Sequence, residues 1–481
     1  MTGTGLRYLF EIFAARRLGV DLFGLFFLGL AVLKICEVLS TAGLHRGVLR
    51  FIAVHMGEHD TARTKGDIIF SLRTTLLISI LLAAGIFLAA RPLSHLIFHK
   101  PGLVPVLQLF SLAVPFTAVT TILLFSTQGF KLMQYRVYVR ELFEPGARII
   151  LLGLALILGL KLFGAVGAFA LSLVLGTPWA VRFARKVFPP LLDRSIRPIT
   201  EGKRLMRFSW PLLMAEFISL LVIWINILMI GSFRTSGEVG IYSAAHRTAL
   251  LGQMILISFN AVFSPIIADL FNQGRIERLR RLYRIIVKWI LTLTLPITIV
   301  MVIAAPQILE IFGKNFRDGA LCLVLLSSAQ LINSVFGSSG FMIMMTGRSR
   351  LTLINNIILI ALNIGLNLLW IPSLGIAGAA LSFLVSVAVI NLALQIEVWW
   401  MDRIHPFRSD WFKPVAAAAA AAGVTMSFRH LALPPLSSPW PILLSLPVIF
   451  GGVYIGMLLL FRLEPEDRFV LDAVLNRIRR R

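Results

Sequence analysis

The sequence predicts an all-α polytopic membrane protein of about fourteen transmembrane helices, and three observations carry that expectation. Hydrophobic residues make up 58% of the chain and charged residues only 14%, against roughly 25% charged in an ordinary soluble domain. Apolar runs of about 20 residues, the length that crosses a hydrocarbon core, recur from one end to the other. Lys and Arg collect in the short segments between those runs, as the positive-inside rule requires. A soluble chain of this composition would expose large apolar patches; lipid removes the difficulty by solvating the outer face.

Taken in order, the runs lie near 22–43, 67–90, 103–128, 139–160, 164–181, 208–231 and 238–266, then near 285–305, 318–345, 351–371, 375–398, 413–427 and 439–461. That makes thirteen complete spans. Residues 6–15 (LRYLFEIFAA) are apolar but short, and read as the second half of a first helix whose beginning is missing. The run at 413–427 is the weakest, because Ala416 to Ala422 has good helix propensity and little hydrophobicity. Residues 464–481 read as a basic amphipathic tail suited to an anionic lipid surface.

Placing the 16–21 loop outside puts most of the 46 Lys and Arg on the cytoplasmic side, densest at 182–207 and 275–288. Both termini are then cytoplasmic. The net charge of +23 is thereby explained by topology, and no nucleic-acid platform accompanies it. Cys36 and Cys322 fall within apolar runs and read as small buried hydrophobes, neither a disulfide nor a metal pair. A P-loop, a serine nucleophile elbow and a dinucleotide fingerprint are absent. No external loop is long enough to carry catalytic acids. The expectation is a transporter without a cofactor, not an enzyme.

Two echoes organise the chain. Gly164-Ala-Val-Gly167-Ala-Phe-Ala-Leu-Ser172 is matched by Gly375-Ile-Ala-Gly378-Ala-Ala-Leu-Ser382, and Phe23-Gly24-Leu25-Phe26 by Val239-Gly240-Ile241-Tyr242. An even number of spans separates each pair, so the repeat is parallel, as in transporters built from two six-helix halves. The predicted organisation is an N-terminal lobe over 1–185, a basic linker over 186–207 and a C-terminal lobe over 208–400. An appended helix pair over 411–461 and the tail follow. The small residues of the echoes read as close helix packing.

Polar residues at membrane depth are costly and point to a cavity or a partner. They are Arg7, Glu11, Lys34, Glu37, Glu216, Asn226, His246, Arg247 and Asn333. Arg7, Lys34 and Arg247 should lie roughly 13 to 20 Å below the outer surface. Local pairing is the competing reading for two of them, since Arg7–Glu11 is an i,i+4 pair and Lys34–Glu37 an i,i+3 pair. Arg136, Arg140, Glu141 and Glu144 read as a cytoplasmic mouth. His95 and His99 lack a third ligand, and His55 to Asp60 reads as a solvated turn.

Several stretches together are similar to a known family. They include AARRLGVDLFGLFFLG at 14–29, AGLHRGVLRFIA at 42–53, ILMIGSFRTSGEVGIYSAAHR at 227–247 and FSPIIADLFNQGR at 263–275. Further on come IFGKNFRDGA at 311–320, MTGRSRLTLINN at 345–356 and LNLLWIPSLGIAGAALS at 366–382. Their order and spacing resemble the oligosaccharide flippases, the polysaccharide-export branch of the multidrug/oligosaccharidyl-lipid/polysaccharide flippase superfamily. The family often carries an acidic residue where this chain has Asn226.

The resemblance implies two six-helix lobes around a central cavity, with two further helices behind. It implies alternating-access transport of a lipid-linked (polyprenyl-pyrophosphate) oligosaccharide to the outer leaflet, for lipopolysaccharide O-antigen or exopolysaccharide assembly. A polysaccharide polymerase or glycosyltransferases of the same pathway are the expected partners, beside the lipid bilayer. In that fold Arg7, Lys34 and Arg247 line the cavity and suit the pyrophosphate, since Arg offers a bidentate fork and Lys a mobile point charge. Glu37, Glu216 and Asn226 are the candidate coupling-ion or polar cavity residues. The alternative is a cation-coupled multidrug or metabolite exporter of the same superfamily.

Overall fold

The computed structural model describes residues 2–406, 411–432 and 440–461. Among the described residues the regular structure is helical throughout, and fourteen helices have the length of a crossing. Ten continuous helical stretches are long and apolar enough to span a membrane, and two of them carry two crossings each. The remaining two crossings are 134–157, interrupted by a π-turn at Val137–Phe143, and the alanine-rich Phe412–Ala432. The tail expected at 464–481 lies outside the described residues.

The N-terminal half helix and the 16–21 loop are redrawn. Helix runs from Thr2 to Thr41 with one break, at Gly19 (φ 73, ψ 178). That positive φ is open to glycine at little cost, so the chain reverses at a single residue. Arg16 and Arg17 stay on the helix. The run expected at 318–345 is two helices, Ala320–Phe336 and Ser338–Met345, meeting at Gly337.

The chain forms two compact units, Met1–Ser243 and Ala244–Arg481. Within the first, an amphipathic helix at Leu44–Gly57 follows the 20–41 crossing and buries Leu44, Val48, Phe51 and Ile52. Its other face carries the exposed Arg46 and Arg50. His55, expected in a solvated turn, is buried on this helix, 3.2 Å from Asp67 and 3.4 Å from Glu58. Lys65 donates to the carbonyls of Asp193 and Ile196, so the basic segment before Gly202 is fastened to the Thr61–Pro92 helix. Lys100 caps the end of the Gly202–Phe233 helix, donating to Phe98 O at 2.9 Å, Arg234 O at 2.7 Å and Gly231 O. An ammonium has three such donors and the helix end has spare acceptors. Burial lowers the Lys100 pKa from its ordinary value.

The repeat finds a physical expression here. A Cβ on Gly24 would strike the Ser236 carbonyl, and one on Gly240 would strike the Val20 carbonyl. Each echo glycine therefore lies against the helix that carries the other. Close packing also explains Gly378, where a Cβ would collide with the Trp370 carbonyl, and Gly164, where it would meet Ala155 at 2.8 Å. Gly375 instead forms a turn at φ 61.

In the second unit the appended helices pack on Ile276–Ile303. Ala417, Ala418 and Ala421 join Tyr283, Val287 and Leu291 in one buried cluster with Phe450 and Tyr454. The polyalanine run is thus a close-packing face, which accounts for its weak hydropathy. Tyr454 donates to Thr292 O at 2.9 Å. Uncharged groups hold the interior: Tyr283 Oη lies 2.7 Å from Ser339 Oγ, and Gln395 Oε1 accepts from Ser339 at 3.0 Å and Tyr283 at 3.1 Å. Arg348 grips Asp402 with two bonds of 2.6 and 2.9 Å, joining the start of one helix to the end of another.

Gly240→Val should lower stability by roughly 1–3 kcal/mol, because the backbone contact leaves no room to repack. Gly5→Ala, in open space, should be neutral or slightly stabilising. Thermal unfolding of the two variants in the same detergent separates these outcomes.

Candidate functional site

The site begins with one carboxylate. Glu37 lies on the 20–41 helix, one turn after Lys34, whose Nζ meets Glu37 Oε2 at 2.7 Å. Its other oxygen accepts from Thr117 at 2.9 Å, from Thr121 at 3.4 Å and from Arg140 Nη2 at 3.1 Å. Thr117 and Thr121 are four apart on Leu103–Gly129 and so share a face. Arg140 reaches further, to Thr121 Oγ1 at 2.6 Å and, through Nη1, to Glu144 Oε2 at 3.2 Å. Three helices meet at this pair of charges.

The π-turn at Val137–Phe143 shapes the next contact. In a π-turn the amide five residues on would bond the Arg140 carbonyl, but that residue is Pro145, which has no N–H. Arg7 supplies the donor instead, at 3.0 Å, and its Nη2 also meets Glu141 Oε1 at 2.8 Å. The 2–18 helix is thereby joined to 134–157. Behind this row, Arg148 lies 3.6 Å over the Phe169 ring and 5.6 Å from Phe10, with Ser172 Oγ 3.4 Å from its Nε.

Burial is graded across the cluster. Glu144 is 4% exposed, Glu37 14% and Arg140 15%, whereas Lys34 is 32% and Arg7 43% exposed. Opposite charges mix through it, Arg7, Lys34, Arg140 and Arg148 with Glu11, Glu37, Glu141 and Glu144, and Arg136 stands near Arg7, Arg140 and Glu141. A buried ion pair is sustained only when its remaining lone pairs and protons are also satisfied, and the threonines do that for Glu37.

The predicted residues fall into four places. Arg7, Lys34 and Glu37 come together, linked through Arg140. Lys34 has the local partner the spacing indicated; the carboxylate Arg7 meets is Glu141, on a different helix. Glu216 takes part in a second cluster, 3.1 Å from the buried His45 and 3.6 Å from Arg46, with Phe125 against the imidazole. Asn226 is buried on the same helix as Glu216, but ten residues on, about 15 Å along the axis. Arg247 is half-buried in the second unit. The sequence reading missed Arg148 and left Arg140 and Glu144 at a solvated mouth. The signal was the i,i+4 series Arg140, Glu144, Arg148, of alternating sign inside an apolar run.

Comparison with known proteins bears on this arrangement. The family model described as polysaccharide biosynthesis protein matches residues 1–271. The chain belongs to that family. It thereby falls in the flippase superfamily the motifs resembled, and a second model, MatE, matches 211–369. The polysaccharide biosynthesis match contains every candidate residue from Arg7 to Arg247. A relative from Haloferax volcanii, described as a probable low-salt glycan biosynthesis flippase, is 22% identical over 238 residues, 49% of this chain and 48% of the relative. The chain spans about half the length of the curated relatives it matches. In structure it is similar to the lipid II flippase MurJ in an inward closed conformation, with TM-score 0.78, 14% identity and coverage of 95% of this chain and 96% of that one. An inward-facing multidrug resistance MATE transporter aligns with TM-score 0.71 and 17% identity, over 84% of this chain and 95% of that one. The family fold is thus present across nearly the whole length.

Arg140→Leu should destabilise the protein by about 3–5 kcal/mol, since it strands two buried carboxylates. Glu37→Gln, which keeps hydrogen-bonding capacity, should cost much less. The difference in thermal midpoint between the two variants measures this.

Proposed function

We propose that the protein is a flippase carrying a lipid-linked oligosaccharide, on a polyprenyl pyrophosphate, from the cytoplasmic to the outer leaflet for cell-surface polysaccharide assembly. The observation that carries this reading is the graded cluster: Arg7 and Lys34 stay part-exposed at membrane depth while the charges behind them are paired and buried. A pyrophosphate arriving there meets donors already oriented by Glu37, Glu141 and the Arg140 carbonyl. A guanidinium suits phosphate oxygens because its fork matches their geometry. Arg247, in the second unit, is a separate candidate ligand in this reading.

Membership of a polysaccharide biosynthesis family supports the substrate class, and the relative described as a glycan biosynthesis flippase supports the direction of the argument. The transport cycle is alternating access between two six-helix lobes, 1–185 and 208–400, with the 411–461 pair appended. The termini face the cytoplasm of a prokaryotic cell, and enzymes of the same glycan pathway supply the substrate and consume the product. A transporter needs no catalytic group, and none is invoked.

The match to the MatE model over 211–369 favours the second reading, a cation-coupled exporter. Glu37 argues against it, since both oxygens are already engaged by Lys34, Arg140, Thr117 and Thr121. Glu216 meets His45 and Arg46 through one oxygen, and Asn226 carries no charge.

Expression in a flippase-deficient strain, scoring surface glycan, tests the proposal. The unsubstituted chain should restore glycan, while Arg7→Ala and Arg247→Ala should each reduce it by about tenfold or more at normal protein levels, the scale of one charge-assisted contact. Full glycan from both variants would sink the headgroup assignment. Efflux of a cationic dye driven by Na⁺ or H⁺, without glycan rescue, would favour the exporter.

A further inference from the structure

The Arg7 guanidinium already holds an anion belonging to the protein. Glu37, Glu141 and Glu144 each meet a cation of the cluster, and they differ in how firmly they are kept. Glu144 is almost wholly buried, and Glu37 is bound by a lysine, an arginine and two threonines. Glu141 is 38% exposed and meets an arginine that is itself 43% exposed. An exposed pair of this kind is weak, because solvent competes for both partners.

Space has been made for that carboxylate. A Cβ on Gly3 would collide with the Glu141 carboxylate and would come within 2.6 Å of its backbone oxygen. Gly3 and Arg7 are four residues apart and face the same way. The Glu141 side chain therefore lies along one helix face, over a residue with no side chain, with its oxygen on the guanidinium. A planar carboxylate on a guanidinium occupies the donor positions a phosphate would use.

We propose that Glu141 is a built-in counter-ion that fills the phosphate position at Arg7 and is displaced when an anionic headgroup arrives. The proposal rests on Arg7 being a headgroup ligand. Glu141 keeps the guanidinium paired while the site is empty, and its exposed side chain swings aside as phosphate oxygens replace it. Competition of this kind makes Glu141 a specificity-determining residue: monoanions of low charge density fail to displace it, and a pyrophosphate succeeds. Arg140 stays with Glu37 and Glu144 throughout, so the cluster keeps its shape during the exchange.

The test titrates inorganic pyrophosphate into the full-length protein in detergent by calorimetry, at fixed ionic strength because screening alters every such affinity. Glu141→Gln should bind about fivefold more tightly than the unsubstituted protein, the scale of one exposed ion pair. Glu141→Asp, which keeps the charge but shortens the reach to Arg7, should also tighten binding. Arg7→Ala should bind at least about tenfold more weakly, and adding Glu141→Gln to it should restore nothing. Equal or weaker binding by Glu141→Gln with an unchanged thermal midpoint overturns the proposal, as does a gain that persists without Arg7, or an absence of binding in every variant. Tighter binding by Glu141→Gln together with failed glycan complementation keeps the counter-ion and removes the oligosaccharide reading.

Discussion

Hydrocarbon supplies neither hydrogen bonds nor screening ions, so a charge carried into it has to bring its own solvation. In the first unit that constraint converges on Glu37. Its two oxygens draw Lys34 from the same helix, a pair of threonines from a second and Arg140 from a third. Arg140 in turn presents a backbone carbonyl that Arg7 takes up. Four helices are positioned by one chain of charge and hydrogen bond, and the exposed cations at its end inherit their orientation from the buried charges behind them.

Beside the Arg348–Asp402 pair, the second unit answers the same problem with a network of neutral groups. Tyr283, Ser339 and Gln395 satisfy one another in its interior, and Asn355 donates to Glu397 at 2.8 Å where one of its helices does carry a carboxylate. Uncharged partners lose less on leaving water and gain less on pairing. The first unit thus concentrates its buried charges beside Arg7 and Lys34.

The crossings were legible because length and hydropathy are properties of a single helix. Lys34–Glu37 was legible for the same reason, its partners being three residues apart. Arg7–Glu141 and Glu37–Arg140 were not, since their partners are separated by more than a hundred residues and spacing says nothing about which helix lies alongside. Arg140 and Glu144 read as charges at a cytoplasmic mouth because they stood at the start of the expected span, whereas the helical segment begins further back, at Gln134. Gly19 hid a reversal because a loop rich in arginine and a kinked helix have nearly the same composition. His55 escaped because a buried imidazole is signalled only by the carboxylate it meets, here on the following helix.

Gly24 and Gly240 occupy matching positions of the repeat, and each lies against the helix bearing the other. Duplicated segments usually drift apart freely once they are separate stretches of sequence. These two positions cannot, because a larger residue in either copy pushes on the backbone beside the other. The contact is a boundary condition shared by the two helices, and substitutions at the pair are acceptable only in combinations that preserve the spacing. Sequence change is therefore coupled between the two positions, although 216 residues of chain separate them.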